Sequence, residues 1–333
     1  MKKLSLVEPW NNHFDSQCTL EDIYHCFRLL LGRLPQKHEW PGHSGFAGGR
    51  LEDVVSIYLN SLEFKNRKLG LFEADDIELM DIEGFKFYVP KNDQLLGRCL
   101  YNTKTYEPHI TKFLRKNLIS GHHFLDVGAN IGYFSMLSAS LVGSNGRIYS
   151  FEPFSFNVKL LCLNKQVNEF ENIEIFPLAL SDKSSLYLYN EAGTNGVISP
   201  IVNDFRSVFD STLVYSVTLD EMSAKIARLD FVKVDIEGAE YLMLMGGKKL
   251  LTKHCPVIIS EFSPASIEAV SKVSPEEYLH ELMLDETYEL LVFEELDVTS
   301  CHRDPGKVMS IYEQKGCDHI DIIAAPNPSG LRL

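Results

Sequence analysis

The chain has 333 residues, 45% of them hydrophobic and 23% charged, a composition that fits folded globular domains and argues against disorder over any large part. A formal net charge of −14, with no run of Lys and Arg to offset it, disfavours a nucleic-acid backbone as partner. No stretch approaches the ~18 apolar residues of a membrane span, and the length suggests one medium domain with a smaller companion.

Residues 1–17 are read as a tail. Met1-Lys2-Lys3-Leu4-Ser5-Leu6-Val7 briefly imitates a secretory leader, but Glu8 and Pro9 end the apolar stretch. From Thr19, an N-cap candidate, the apolar positions Ile23, Phe27, Leu30 and Leu31 have helical spacing, until Gly32 and Pro35 stop the helix. A Gly-rich loop over 41–49 follows, and helical periodicity resumes over 51–59, ending near 61–64. These segments predict a small all-α domain over 18–70.

Near residue 70 the texture changes. Residues 71–110 are read as a lead-in to a larger domain, with strand-like alternation in Phe85-Lys86-Phe87-Tyr88-Val89-Pro90 and then a helical run through Thr111. Over 111–326 short apolar runs alternate with helical stretches, the sequence form of a doubly wound, mostly parallel sheet; residues 327–333 are a second tail. Strands are expected at 123–127, 147–151, 173–177, 230–234, 256–260, 289–293 and 319–324. Residues 190–212 form a long polar insertion with Gly193 and Gly196, either a lid or an unstructured surface loop.

The chemistry concentrates at the strand ends. In Phe124-Leu125-Asp126-Val127-Gly128-Ala129-Asn130-Ile131-Gly132, a strand passes through a glycine turn into a helix. The glycines are expected to let backbone approach a ligand, and the helix N-terminus to offer N–H groups to an anion. Asn130 stands where a dinucleotide turn has its middle glycine. The next strand ends at Glu152, where such sheets place a carboxylate against both ribose hydroxyls, a contact that NAD and S-adenosylmethionine share. Asp182, in Ala179-Leu180-Ser181-Asp182, is either an adenine contact or a turn former. Asp235 and Glu261 end two strands at the sheet's C-terminal edge, with Glu237 close by. The carboxylates either share a proton as a general base, hold a divalent cation, or take Lys233 as an internal counter-ion. Seven cysteines lie scattered without a C-x-x-C pair, which reads as a reduced, cytoplasmic set, and no diagnostic metal-ligand spacing is present.

Taken in order, D-V-G-A-N-I-G, F-E-P, A-L-S-D, T-L-D, K-V-D-I-E-G-A-E and S-E-F resemble the FkbM-type methyltransferases over about residues 76–326. The resemblance implies a seven-stranded, Rossmann-like methyltransferase sheet, S-adenosyl-L-methionine as cofactor, and methyl transfer to a hydroxyl of a sugar or polyketide. Carried over by position, it implies that Asp126, Gly128, Asn130 and Gly132 line the methionine and ribose side, that Glu152 holds the ribose and Asp182 the adenine, and that Glu107 closes over the cofactor. Asp235, Glu261 and Glu237 are the catalytic candidates, and no metal is assigned. Residues 18–68 are similar to a small helical domain of unknown function that accompanies glycosyltransferases and other surface-glycan enzymes, although Cys26 and Arg28 depart from its pattern and a generic helical pair also fits. That similarity implies a glycan or small-molecule acceptor and a glycan-assembly protein partner. Two rival functions share these features: an NAD-dependent sugar-modifying enzyme, and a cofactor-binding interaction protein without catalysis.

Overall fold

The computed structural model describes residues 16–66, 76–93, 95–192, 194–209, 211–284, 286–294 and 297–333. The leader-like start, most of the N-terminal tail, the domain boundary near residue 70, and Gly193 fall outside them. The chain divides into two compact units, Met1–Glu73 and Ala74–Leu333.

In the first unit Thr19 caps the helix Leu20–His25 reciprocally with Asp22. The helix loosens into a π-helical turn over Cys26–Leu30, and further helices span Trp40–Ser44, Leu51–Leu59 and Leu62–Asn66. The stretch read as a Gly-rich loop therefore begins with a helical turn. Ile23, Phe27, Leu31, Val54 and Tyr58 form the core, and Arg33 bridges Glu39 and Glu63 beneath it.

The second unit opens with an antiparallel hairpin of β1 (Ile77–Ile82) and β2 (Phe85–Pro90). The large sheet contains β3 (His123–Val127), β4 (Arg147–Phe151), β5 (Ile173–Phe176), β10 (Phe231–Val234), β11 (Val257–Phe262), β12 (Glu289–Phe293), β13 (Val298–His302) and β14 (Ile320–Ala325). Its order is β13-β12-β14-β11-β10-β3-β4-β5. The block from β11 to β5 is parallel, whereas β14 and β13 run antiparallel to their neighbours. The expected seven strands are thus eight. The additional one, β13, is a short polar edge strand, Val-Thr-Ser-Cys-His, whose half-exposed residues carry no apolar alternation.

Side chains alternate across this sheet between two cores. Leu125, Val232, Ile258, Leu290 and Ile322 enter one, and Phe124, Phe231, Ile259, Leu291 and Ile323 enter the other. The chain leaves β3 outward to β4 and β5, then returns to β10 on the other side of β3, which creates a topological switch point between β3 and β10. Between β5 and β10 the chain builds a separate sheet from β6 (Ala179–Leu180), β7 (Ser185–Ala192), β8 (Asn195–Pro200) and β9 (Thr212–Val217), in the order β6-β9-β7-β8. Part of the polar insertion at 190–212 completes this sheet, through the end of β7, all of β8 and the first residue of β9, and the short helix Phe205–Phe209 lies between β8 and β9.

Candidate functional site

The cleft opens at the switch point. Residues of the β3 end (Asp126 to Asn130), Glu152 after β4, Leu178 to Leu180, the hairpin tip Thr194 to Gly196, and Lys233 to Glu237 line it, with Tyr106 and Phe134 at one side. Asp126, Gly128, Asn130, Glu152, Asp235 and Glu237 are thereby brought together, as expected. Gly132, Glu107, Glu261 and Asp182 are not part of the lining.

At both glycines an added side chain would collide with the protein's own packing. At Gly128, with φ +79, a Cβ would lie 1.9 Å from the Asp235 carbonyl oxygen; at Gly132, with φ +95, it would lie 2.2 Å from Leu161 Cδ1. Asn130 is itself left-handed, with φ 51, a conformation Asn tolerates. Its backbone N–H donates to Glu152 Oε2 at 2.8 Å and its Nδ2 to Asn195 Oδ1 at 3.0 Å.

Glu152 is buried, and its other oxygen accepts from the Phe154 N–H at 2.8 Å. Burial pushes its carboxyl up to about 7, while hydrogen bonds from Phe154, Asn130 and Asn157 oppose the shift. Asp126 accepts from Ser135 Oγ at 2.6 Å, and burial raises it to about 6 against the pull of Lys233.

Lys233 is the electrostatic centre. It faces Asp126 across β3 and β10, and its Nζ lies 2.8 Å from Asp235 Oδ2, 3.7 Å from Glu107 Oε2 and 4.7 Å from the Phe134 ring centroid. Burial alone would lower its pKa, but Asp235, Glu107 and Asp126 outweigh burial and hold it well above the usual lysine range. Burial would likewise raise Asp235; the neighbouring ammonium dominates and keeps that carboxyl below its ordinary value.

Glu261 lies behind Asp235 on the adjacent strand, in the register where Val234 pairs with Ser260. Burial and the charges of Asp235, Glu240 and Glu237 push its carboxyl well above the usual range, and it is hydrogen-bonded to Asp235. Glu237, left-handed with φ 56, accepts from Asn195 Nδ2 at 2.7 Å and is raised by burial. Glu240 accepts from the Ile236 and Gly238 N–H groups and so closes the turn that carries Glu237. Among the described residues, no group of three or more His, Cys, Asp or Glu side chains is arranged to hold a metal ion.

Asp182 is exposed and accepts from Ser181 Oγ at 3.1 Å. The preceding residues Leu178, Ala179 and Leu180 line the cleft. Glu107, at the left-handed start of the helix Pro108–Asn117, carries the most telling atom: Oε2 is buried and has no hydrogen-bond partner. Burial pushes this carboxyl up to about 7 despite Lys233. Sequence reasoning missed Asn195, Thr194 and Tyr106. Nothing local marks them, since Asn195 meets Asn130 and Glu237 only through folding of the second sheet.

A crevice beyond the carboxyl ends of parallel strands, walled by buried carboxylates, defines a small-molecule site of the open α/β class. Residues 126–295, just over half of the chain, match the model of the methyltransferase FkbM domain. The chain belongs to that family. No curated protein matches it. Among solved structures, it is similar to an FkbM methyltransferase from Methylobacillus flagellatus KT, at 14% identity and a TM-score of 0.40, covering 90% of this chain and 58% of that one. It is also similar to a putative rRNA-methylase from Clostridium thermocellum, at 10% identity and TM-score 0.40 over 66% of this chain and 95% of that one. An O-methyltransferase from Bacillus cereus in complex with SAH gives 13% identity and TM-score 0.39 over 66% and 82%. TM-scores of this size establish neither a shared fold nor a shared activity, and the family assignment rests on the sequence match. No helix among the described residues is long and apolar enough to cross a membrane.

Proposed function

We propose that this chain is an S-adenosylmethionine-dependent methyltransferase that methylates a sugar hydroxyl of a surface glycan or glycolipid intermediate in the cytoplasm. The observation that carries the cofactor is Glu152, a buried carboxyl at the end of β4 that lines the cleft beside Asn130. Glu152 accepts the ribose hydroxyls, and Glu107 accepts the amino group at the methionine end. Leu178, Ala179 and Leu180 wall the adenine side. Asn130 favours this ligand over NAD, because its side chain occupies the middle of the turn where a glycine would bring backbone against a pyrophosphate.

Bound there, S-adenosylmethionine supplies an activated methyl group. Transfer from a sulfonium is an in-line displacement, so alignment of the acceptor oxygen supplies much of the rate. Asp235, favoured as the carboxylate by Lys233 and hydrogen-bonded to Glu261, would accept the acceptor hydroxyl's hydrogen bond and take its proton. Glu237 supports the same edge. The ammonium of Lys233 supplies the positive charge that a divalent cation would otherwise contribute there. The helical unit recruits the chain to a glycan-assembly protein. Incubation with radiolabelled S-adenosylmethionine and extracts of surface glycans tests this reading: label in a glycan fraction, abolished by Asp235→Asn, is the expected result, and label only in protein or nucleic acid contradicts it.

A further inference from the structure

Methyl transfer from a sulfonium to a hydroxyl forms an oxygen–carbon bond and breaks a sulfur–carbon bond, whose electron pair stays on sulfur. The hydroxyl proton is left over. A cleft that performs this reaction must therefore deliver one proton to water in every turnover.

Asp235, set to take that proton, does not stand alone. Val234 pairs with Ser260 in the β10–β11 register, which brings the next residue, Glu261, into a hydrogen bond with Asp235. Ionised carboxylates only accept hydrogen bonds, so this one needs a proton between the two groups. The negative charge left on the pair holds that proton. A second proton, arriving from the acceptor, removes the charge, and the pair then gives one up readily.

Glu261 meets solvent through one neighbour. Its Oε1 lies 3.6 Å from Nδ1 of His319, the residue before β14, and the imidazole is 49% exposed where Glu261 is 15% exposed. The same Nδ1 lies 2.9 Å from Oδ1 of the exposed Asp318. His319 faces an open groove, separate from the cleft, which it lines with His109, Lys315 and Asp321. Its charge nevertheless reaches the reaction centre, where it lowers both Asp235 and Glu237. Of the other groups about the pair, Lys233 and Glu240 are buried, and Glu237 lines the cleft that the ligands fill.

We propose that His319 is the proton outlet of the transfer site: acting through Glu261, it returns the acceptor's proton from Asp235 to water. The inference rests on the reading of the cleft as a methyltransferase site with Asp235 as its base. Asp235 takes the hydroxyl proton, Glu261 passes one to Nδ1, and the imidazolium, steadied by Asp318, releases one to water, which leaves the pair as it began. Imidazole suits the step because it gains and loses a proton near neutral pH. The 3.6 Å separation is of the kind that tightens to a hydrogen bond when ligands bind.

The test uses the full chain, radiolabelled S-adenosylmethionine and surface-glycan extract, and compares the parent with His319→Ala and His319→Gln. His319→Ala is expected to bind S-adenosylhomocysteine within about twofold of the parent yet to transfer label roughly ten- to a hundredfold more slowly, up to the lower range of what a positioned proton-transfer group contributes. Free imidazole should restore that rate along a saturable curve, more strongly as rising pH strips its proton. His319→Gln keeps a polar partner for Glu261 and Asp318 but cannot carry a proton, so it should be slow and stay slow with imidazole. Should His319→Ala not fold, the rate of His319→Gln decides. Parental transfer in either variant, or a loss in His319→Ala that imidazole does not restore, would overturn the inference and leave the methyltransferase reading intact. No label transfer by the parent would overturn both.

Discussion

Lys233 decides the character of the cleft, because a buried ammonium among Asp126, Asp235 and Glu107 turns what would be mutual repulsion into a charge-balanced group. Removing one partner of a buried ion pair leaves the others uncompensated, typically at ~3–5 kcal/mol. Lys233→Met is accordingly expected to lower the unfolding free energy in urea by that much, read as a lower midpoint with little change of slope; a loss below about 1 kcal/mol would show that the carboxylates do not depend on it. Glu240 offers a separate pH prediction. Burial raises its folded-state pKa to about 7, against an ordinary glutamate value of 4.5. A raised carboxyl costs nothing when both states are protonated; stability is then lost as pH climbs from the unfolded pKa through the folded one. The ligand-free chain should therefore become less stable between about pH 4.5 and 7. Glu240→Gln, which keeps an oxygen for the Ile236 and Gly238 N–H groups, should flatten that slope in thermal melts across the range. A slope as steep as the parent's would assign the loss to Glu152 or Glu107.

The turn after β3 joins two strands by close backbone contact as well as by hydrogen bonds. Gly128→Ala would force a Cβ against the Asp235 carbonyl from a left-handed conformation, and a loss of roughly 2–4 kcal/mol in denaturant unfolding is expected. A neutral substitution would mean that the β3 and β10 ends sit farther apart than described. These elements were legible in the sequence because buried parallel strands are short apolar runs: β3, β4 and β12 fall at their expected residues, and β5, β10, β11 and β14 within two at each end. With them came the adjacency of Asp235 and Glu261. The second sheet was not legible. Residues of β7, β8 and β9 alternate with exposed apolar side chains such as Leu186, Leu213 and Tyr215, so no solvent face is marked by polarity. The edge strand β13 was hidden by its polar residues. The direction of the Asp182 side chain was not legible, because its motif fixes only the turn.

The two units each have their own core, 1–73 around Phe27 and Tyr58, and 74–333 around the large sheet. A chain beginning at residue 74 is therefore expected to unfold in one cooperative transition and to bind ligand like the full chain; aggregation or lost binding would show that the helical unit completes the larger one. The cleft that would carry the proposed chemistry lies wholly within the larger unit. The larger unit's claim to that chemistry depends on a nucleoside being held at the β3–β10 switch point by Glu152. Calorimetric titration of S-adenosylmethionine into the parent chain and into Glu152→Ala measures this directly. Hydrogen bonds to a charged group contribute ~1.5–3 kcal/mol, so the variant should bind roughly tenfold to a hundredfold more weakly while the parent binds with saturable affinity. Equal affinity of the two chains, or tight binding of NAD by the parent, would contradict the account.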